Sequence, residues 1–162
     1  MIIEGPDGAG KTTLVRKLAD HFKCDIVVMT EKGSKQVGDY LCKSNLDNVV
    51  SDRSFLSELV YTYVFHRRSS LSLYDYERVM REYRKEGWQF IILNASTECL
   101  TKRLNVRGDE DAYKVRNIDK LRIAYDAWAY WFNLPVIDSE NLDVDQLIKD
   151  LEDGKYEPNR SK

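Results

Sequence analysis

Near the start of the chain, Gly5-Pro-Asp-Gly-Ala-Gly-Lys-Thr12 has the composition and spacing of a phosphate cradle. The glycines Gly5, Gly8 and Gly10 let the backbone turn so that successive N–H groups point inward at phosphate oxygens. A helix beginning at Lys11 aims its positive N-terminus at the same point. Lys11 reaches the β- and γ-phosphates of a nucleoside triphosphate, and the Thr12 hydroxyl is a candidate ligand for Mg²⁺. Asp7, Ala9 and Thr13 complete the expected nucleotide-binding loop. A plain glycine turn before a helix shares this composition. The apolar residues before the loop and the amphipathic stretch after it favour the cradle.

A second cluster ends the run Val49-Val50-Ser51 with Asp52-Arg53-Ser54. A carboxylate at the carboxyl end of a strand beside such a loop can hold Mg²⁺ through water or orient an attacking oxygen. The planar fork of Arg53 suits a second phosphate. A helix beginning near Ser54 puts Ser57 and Tyr61 one turn apart on the face of Arg53. The plainer alternative makes Asp52 a helix cap and Arg53 half of a surface ion pair.

A third cluster is Arg103, Arg107 and Gly108, followed by Asp109-Glu110-Asp111. Two guanidiniums four residues apart on a helix can stabilise the charge that develops on a transferring phosphoryl group. Gly108 offers a hinge for a closing flap, and Arg116 can join from the next helix. A solvated charge run has the same pattern, and spacing alone leaves the two in balance. His21 and His66 stand apart from any triad or metal pattern and are expected to be structural.

The elements that must position these groups alternate along the chain. Strands are expected at 1–4, 26–30, 49–52, 88–93 and 135–137, with 26–30 and 88–93 buried. Helices are expected at 11–22, 54–66, around Tyr76 to Tyr83 with a cap at Gly87, at 97–105, from Ile118 to Phe132, and from Val144 to Leu151. Residues 31–48 are polar with weak periodicity. Five strands separated by helices predict an α/β fold, a five-stranded parallel sheet with helices on both faces. Ligands in such sheets bind at the carboxyl ends of the strands. The expected organisation is one domain over 1–153 with a lid segment near 103–116 and a flexible tail at 154–162.

The bulk properties agree. The chain has 162 residues, 43 % apolar and 32 % charged, with a formal net charge of −2. That is globular composition without the basic field that nucleic acid would call for. No apolar run approaches a membrane span, and no signal peptide is expected. Cys24, Cys42 and Cys99 lack metal-site spacing and are expected to be reduced thiols of a cytoplasmic protein. Trp128, Tyr130 and Trp131 suit the core or a homodimer face.

The segment Ile3-Glu-Gly-Pro-Asp-Gly-Ala-Gly-Lys-Thr-Thr-Leu14 resembles the thymidylate kinase family, where Glu-Gly-x-Asp-Gly-x-Gly-Lys-Thr-Thr is typical. Asp52-Arg53-Ser54 with Ser57 and Tyr61 resembles that family's Asp-Arg motif, and Arg103-x-x-x-Arg107-Gly108 resembles its lid. The resemblance implies an ATP- and Mg²⁺-dependent kinase of a (deoxy)nucleoside monophosphate. It places Asp7 near the sugar 3′-hydroxyl of the acceptor, Arg53 on the acceptor phosphate, and Asp52 beside the metal and acceptor. Some relatives carry a catalytic arginine inside the loop, where this chain has Gly8, which shifts weight to Arg103 and Arg107. For Arg103 the alternative expected role is stacking on the adenine of ATP instead. The family's Arg-Glu-Pro-Gly is matched here by Thr30-Glu-Lys-Gly33, which keeps Glu31 as an acceptor-site residue and leaves Lys32 or Lys35 to replace the arginine. The stretch that helps hold the base, 33–48, is shorter than the family's. A deoxynucleoside kinase, a kinase of another hydroxyl such as a modified base in DNA, and a non-kinase ATPase remain as alternatives.

Overall fold

The computed structural model describes residues 1–28, 36–108 and 115–156. Its centre is a five-stranded parallel sheet in the order β2-β3-β1-β4-β5. The strands are β1 (Ile2–Glu4), β2 (Asp25–Val27), β3 (Val49–Asp52), β4 (Phe90–Asn94) and β5 (Val136–Asp138). β1 sits in the middle, with Ile3 in register with Asp52 on one side and with Ile91 on the other. This register sets the ends of β1 and β3 side by side, so the loops that follow Glu4 and Asp52 must meet. Every residue of β1 and β4 is buried, as strands covered on both faces require.

Seven helices pack around the sheet among the described residues: α1 (Lys11–Phe22), α2 (Val37–Leu41), α3 (Phe55–Val64), α4 (Leu73–Lys85), α5 (Thr97–Val106), α6 (Ile118–Trp131) and α7 (Val144–Glu152). α1 buries Leu14, Val15, Leu18 and Ala19, the stripe that helical spacing selects. α3 buries Phe55, Leu56, Leu59 and Val60, and α6, which buries Leu121, Ala124 and Tyr125, packs against it. Phe55 is fully buried among Tyr40, Tyr76, Tyr83 and Phe90, with ring centroids 5.7–6.4 Å apart. Each such ring contributes about 1.5–3 kcal/mol by burial alone.

Sequence spacing locates the helix ends closely. Ser72 and Asp75 form a reciprocal cap at the start of α4: the Asp75 N–H donates to the Ser72 hydroxyl at 3.3 Å, and the Ser72 N–H donates to Asp75 at 2.8 Å. Gly87 closes that helix at φ +81°, and the Trp88 N–H returns to the Tyr83 carbonyl at 2.9 Å.

Two expectations need correction. The strand after α1 is not buried: Ile26 is 48 % exposed, because β2 is an edge strand covered from one side only. The polar stretch 36–48 is not featureless, since α2 and a short 3-10 turn at Cys42–Asn45 lie there. Tyr83 donates to the Tyr40 carbonyl and the Trp88 indole to that of Ser44, pinning this segment to the core. At the C-terminal end, Lys155 and Tyr156 both reach Asp150 on α7, and the remainder of the expected tail lies outside the described residues.

Candidate active site

The cradle forms at the carboxyl end of β1, where the parallel-sheet rule places it. Gly5, at φ +141°, backs directly onto β4, and a Cβ there would collide with the Leu93 carbonyl oxygen. The loop then curls round Lys11, whose ammonium group donates to the Pro6 carbonyl at 2.7 Å. Lys11 is 6 % exposed. Burial, reinforced by the nearby Arg53 charge, lowers its pKa to about 7 against the partial compensation of Asp7, Asp52 and Glu4.

Next to it the Thr12 hydroxyl donates to the Asp52 carboxylate at 2.6 Å. A hydroxyl and a carboxylate beside a phosphate cradle are hard oxygen donors of the kind Mg²⁺ takes when phosphates and water complete its shell. Among the described residues no group of three or more His, Cys, Asp or Glu converges. A divalent ion beside Thr12 and Asp52 would need further oxygens from a bound phosphate and water to complete its shell.

Arg53 holds the positive φ of +77°, a sparsely populated conformation for a residue with a side chain. Two contacts fix that backbone: the Arg53 N–H donates to the Ile3 carbonyl at 3.0 Å, and the Ser51 hydroxyl donates to the Arg53 carbonyl at 2.6 Å. The guanidinium is thereby turned back over the loop, where it pairs with Asp7 and donates to Ser57 at 3.3 Å. Tyr61 completes the group, donating to the second Asp7 oxygen at 2.7 Å. Burial opposes the Arg53 charge, but Tyr125, Tyr61, Asp7 and Glu4 together hold its pKa above the ordinary range. The expected face of Arg53, Ser57 and Tyr61 thus exists, and Asp7 joins it from the loop.

The two lid arginines separate. A larger cavity of about 630 Å³ runs from the loop to α7, lined by Thr13, Lys17, Cys99, Lys102, Arg103, Ser139, Leu142 and Val144. A smaller one of about 180 Å³ lies over Lys11, bounded by Asp7, Thr12, Val28, Asp52 and Arg53. Gly8, Gly10 and Arg107 border both. Arg103 borders only the larger, and its guanidinium is tied down, donating to the Ser139 hydroxyl at 2.9 Å, the Ser139 carbonyl at 3.0 Å and the Gly8 carbonyl at 3.3 Å. Arg107 caps the end of α5, exposed at the junction of the two cavities. Gly108 follows at φ +66°.

The structure thus brings Asp7, Gly8, Ala9, Gly10, Lys11, Thr12, Thr13, Asp52, Arg53, Arg103 and Arg107 to the lining of these two cavities, with Ser57 and Tyr61 in contact with Arg53 and Asp7, and Gly5 against β4. Glu31, Lys32 and Lys35, with Asp109-Glu110-Asp111, lie outside the described residues. Arg116 is exposed on the short stretch before α6. His21 meets Glu152 at 2.8 Å, and His66 follows the end of α3 at φ +50°; neither lines these two cavities. All three cysteines are free thiols, and Cys99 belongs to the larger cavity.

Glu4 stands in the family-like segment, but neither motif nor spacing gives it a role. It is fully buried, and it accepts from the Ser54 N–H at 2.6 Å, the Ser54 hydroxyl at 2.8 Å, the Ser57 N–H at 3.1 Å and the Ser57 hydroxyl at 2.6 Å. The Tyr125 hydroxyl approaches it from α6 at 3.3 Å. A lone acid closing an apolar strand is the signal that was available, because a buried carboxylate demands donors.

Comparison with known proteins adds relatives. A family model described as thymidylate kinase matches residues 3–83. A guanylate kinase of Mycoplasma pneumoniae is 30 % identical over 141 residues, a match that takes in 72 % of this chain but spans only 59 % of that protein. Among solved structures, the YorR protein of Bacillus subtilis, in complex with phosphorylated GDP, superposes with a TM-score of 0.80 at 26 % identity, covering 95 % of this chain and 94 % of that one. Deoxyadenosine kinase from M. mycoides with bound dCTP has a TM-score of 0.61 at 21 % identity, covering 96 % and 98 %. At that identity the likeness is one of fold.

Proposed function

The chain belongs to the thymidylate kinase family, and we propose that it transfers the γ-phosphate of ATP to the phosphate of a (deoxy)nucleoside monophosphate, giving the diphosphate. One observation carries this proposal: the smaller cavity sets Lys11, Arg53 and Arg107 around the space above the loop, with Asp7 and Asp52 between them. Three cations about a space of about 180 Å³ suit a phosphoryl group passing between two phosphates.

The larger cavity takes the nucleoside of ATP, and its phosphates run past Gly8 and Gly10 into the smaller one. An acceptor phosphate oxygen attacks the γ-phosphorus in line; the bond from that phosphorus to the β–γ bridging oxygen breaks, and ADP leaves. An attacking oxygen that is already anionic needs no strong base, so positioning and charge supply the rate. Lys11 follows the moving charge. Mg²⁺ held by Thr12 and, through water, by Asp52 would offset the negative charge of the β- and γ-phosphates. Arg107 supplies the transition-state guanidinium from the junction, while Arg103, anchored to Ser139, shapes the donor pocket. Asp7 turns from Arg53 to the acceptor sugar when a phosphate takes its place.

A second reading, a deoxynucleoside kinase, draws on the Arg53–Asp7 ion pair, because an arginine already neutralised suits an uncharged acceptor. Against it, Asp52 accepts from Thr12 and so faces the metal side rather than standing free as a general base.

The acceptor role of Arg53 is tested by Arg53→Ala. The variant is expected to raise the acceptor KM by roughly 10–100-fold with a small change in the ATP KM. ATP hydrolysis that needs no acceptor and is unaffected by the substitution would instead support a nucleotide switch.

A further inference from the structure

We propose that Glu4 is a positioning residue for the acceptor arginine, acting through the Ser57 hydroxyl; this rests on Arg53 being the ligand of the acceptor phosphate. A carboxylate accepts and does not donate. The Ser57 hydroxyl has one proton, and the 2.6 Å contact with Glu4 takes it. The lone pairs of Ser57 are then left facing the Arg53 guanidinium at 3.3 Å and the Tyr125 hydroxyl at 2.9 Å. Tyr125 spends its own proton on Ser57 or on Glu4, and because the Ser57 oxygen has two lone pairs, one remains for Arg53 in either case. Glu4 therefore fixes Ser57 as an acceptor toward Arg53. Ser57 is also the support that stays when a phosphate draws Arg53 away from Asp7.

An amide in place of this carboxylate reverses the arrangement. Three donors converge on one Glu4 oxygen, the Ser54 N–H, the Ser54 hydroxyl and the Ser57 N–H. The amide nitrogen of Glu4→Gln must take the other position and donate to Ser57. The Ser57 proton then turns toward Arg53, setting donor against donor, or toward Tyr125, whose own proton is left with neither Ser57 nor residue 4 to accept it. A purely structural role would instead harm both substrates alike through a looser loop.

The test is steady-state kinetics with ATP and each of dAMP, dCMP, dGMP, dTMP and dUMP as acceptor probes. The proteins compared are the parent, Glu4→Gln, Ser57→Ala, their double variant and Arg53→Ala. Glu4→Gln and Ser57→Ala are each expected to raise the acceptor KM roughly tenfold, with the ATP KM changed by less than about twofold. Their effects should not add in the double variant, because one relay is cut twice. Ser57→Ala keeps the backbone N–H bond to Glu4, so it carries the test if Glu4→Gln does not fold. Additive losses, equal shifts in both KM values, or an unchanged acceptor KM in Ser57→Ala overturn the proposal. If Arg53→Ala alone raises the acceptor KM, only the relay falls. If Arg53→Ala does nothing, or no monophosphate is turned over, the acceptor assignment falls and the relay with it.

Discussion

Lys11→Met is expected to slow phosphoryl transfer by roughly 10²–10³-fold and to leave the fold intact. The methionine keeps the apolar stem that the loop buries and removes the charge together with the hydrogen bond to the Pro6 carbonyl. Melting temperature separates this from unfolding, and an unimpaired rate would remove Lys11 from the chemistry. The same lysine predicts a pH dependence. Burial, with the Arg53 charge, lowers its pKa from 10.5 to about 7. Between those values the folded chain binds fewer protons than the unfolded one, so this group makes stability rise with pH across that window. Below about pH 7 the full cost of the buried charge is present. A bound triphosphate acts in the opposite sense, since its negative charge draws a proton back onto Lys11. Nucleotide binding at pH 8 should therefore take up roughly one proton in the parent and none through this site in Lys11→Met. Calorimetry in buffers of different ionisation enthalpy reads this directly.

Gly5→Ala should cost stability rather than chemistry, by roughly 3–5 kcal/mol. Its new methyl group would press on the Leu93 carbonyl of β4, and the residue would have to hold φ +141°. Backbone that is part of a central strand cannot move aside as a flexible side chain can. A loss of that size is a large share of a small domain's stability. Gly10→Ala is the control. Gly10 has φ +90° but nothing within 4 Å of an added Cβ, so only the backbone strain of about 1–2 kcal/mol applies. Denaturant unfolding of both variants is the check. Equal midpoints would mean that contact with β4 does not limit the loop.

The sequence was most legible where chemistry and local geometry coincide. The cradle needs fixed glycines, a lysine and a hydroxyl at set positions, and α1 begins at Lys11 as they require. Ser57 and Tyr61 could be placed on one face because helical spacing alone decides it, while Arg53 precedes α3 and reaches that face through its left-handed backbone. Features set by tertiary register were not legible. Ile26 and Val28 look like core residues in isolation, and only the strand order puts them at an exposed edge. Arg103 and Arg107 look equivalent on one helix, yet Ser139, from the far end of the chain, captures one and leaves the other over the loop. Glu4 was passed over inside an apolar strand, because its partners come from α3 and α6. Tyr125 read as one more apolar position of a helix, while its hydroxyl lies within the same buried network.

The proposed function stands or falls on the state of the acceptor. The direct measurement is to offer ATP and Mg²⁺ with matched sets of deoxynucleosides and their monophosphates and to follow the phosphorylated products. Diphosphate formed from at least one monophosphate, with nucleosides turned over far more slowly, is the predicted result. Turnover of nucleosides with no conversion of any monophosphate would contradict it.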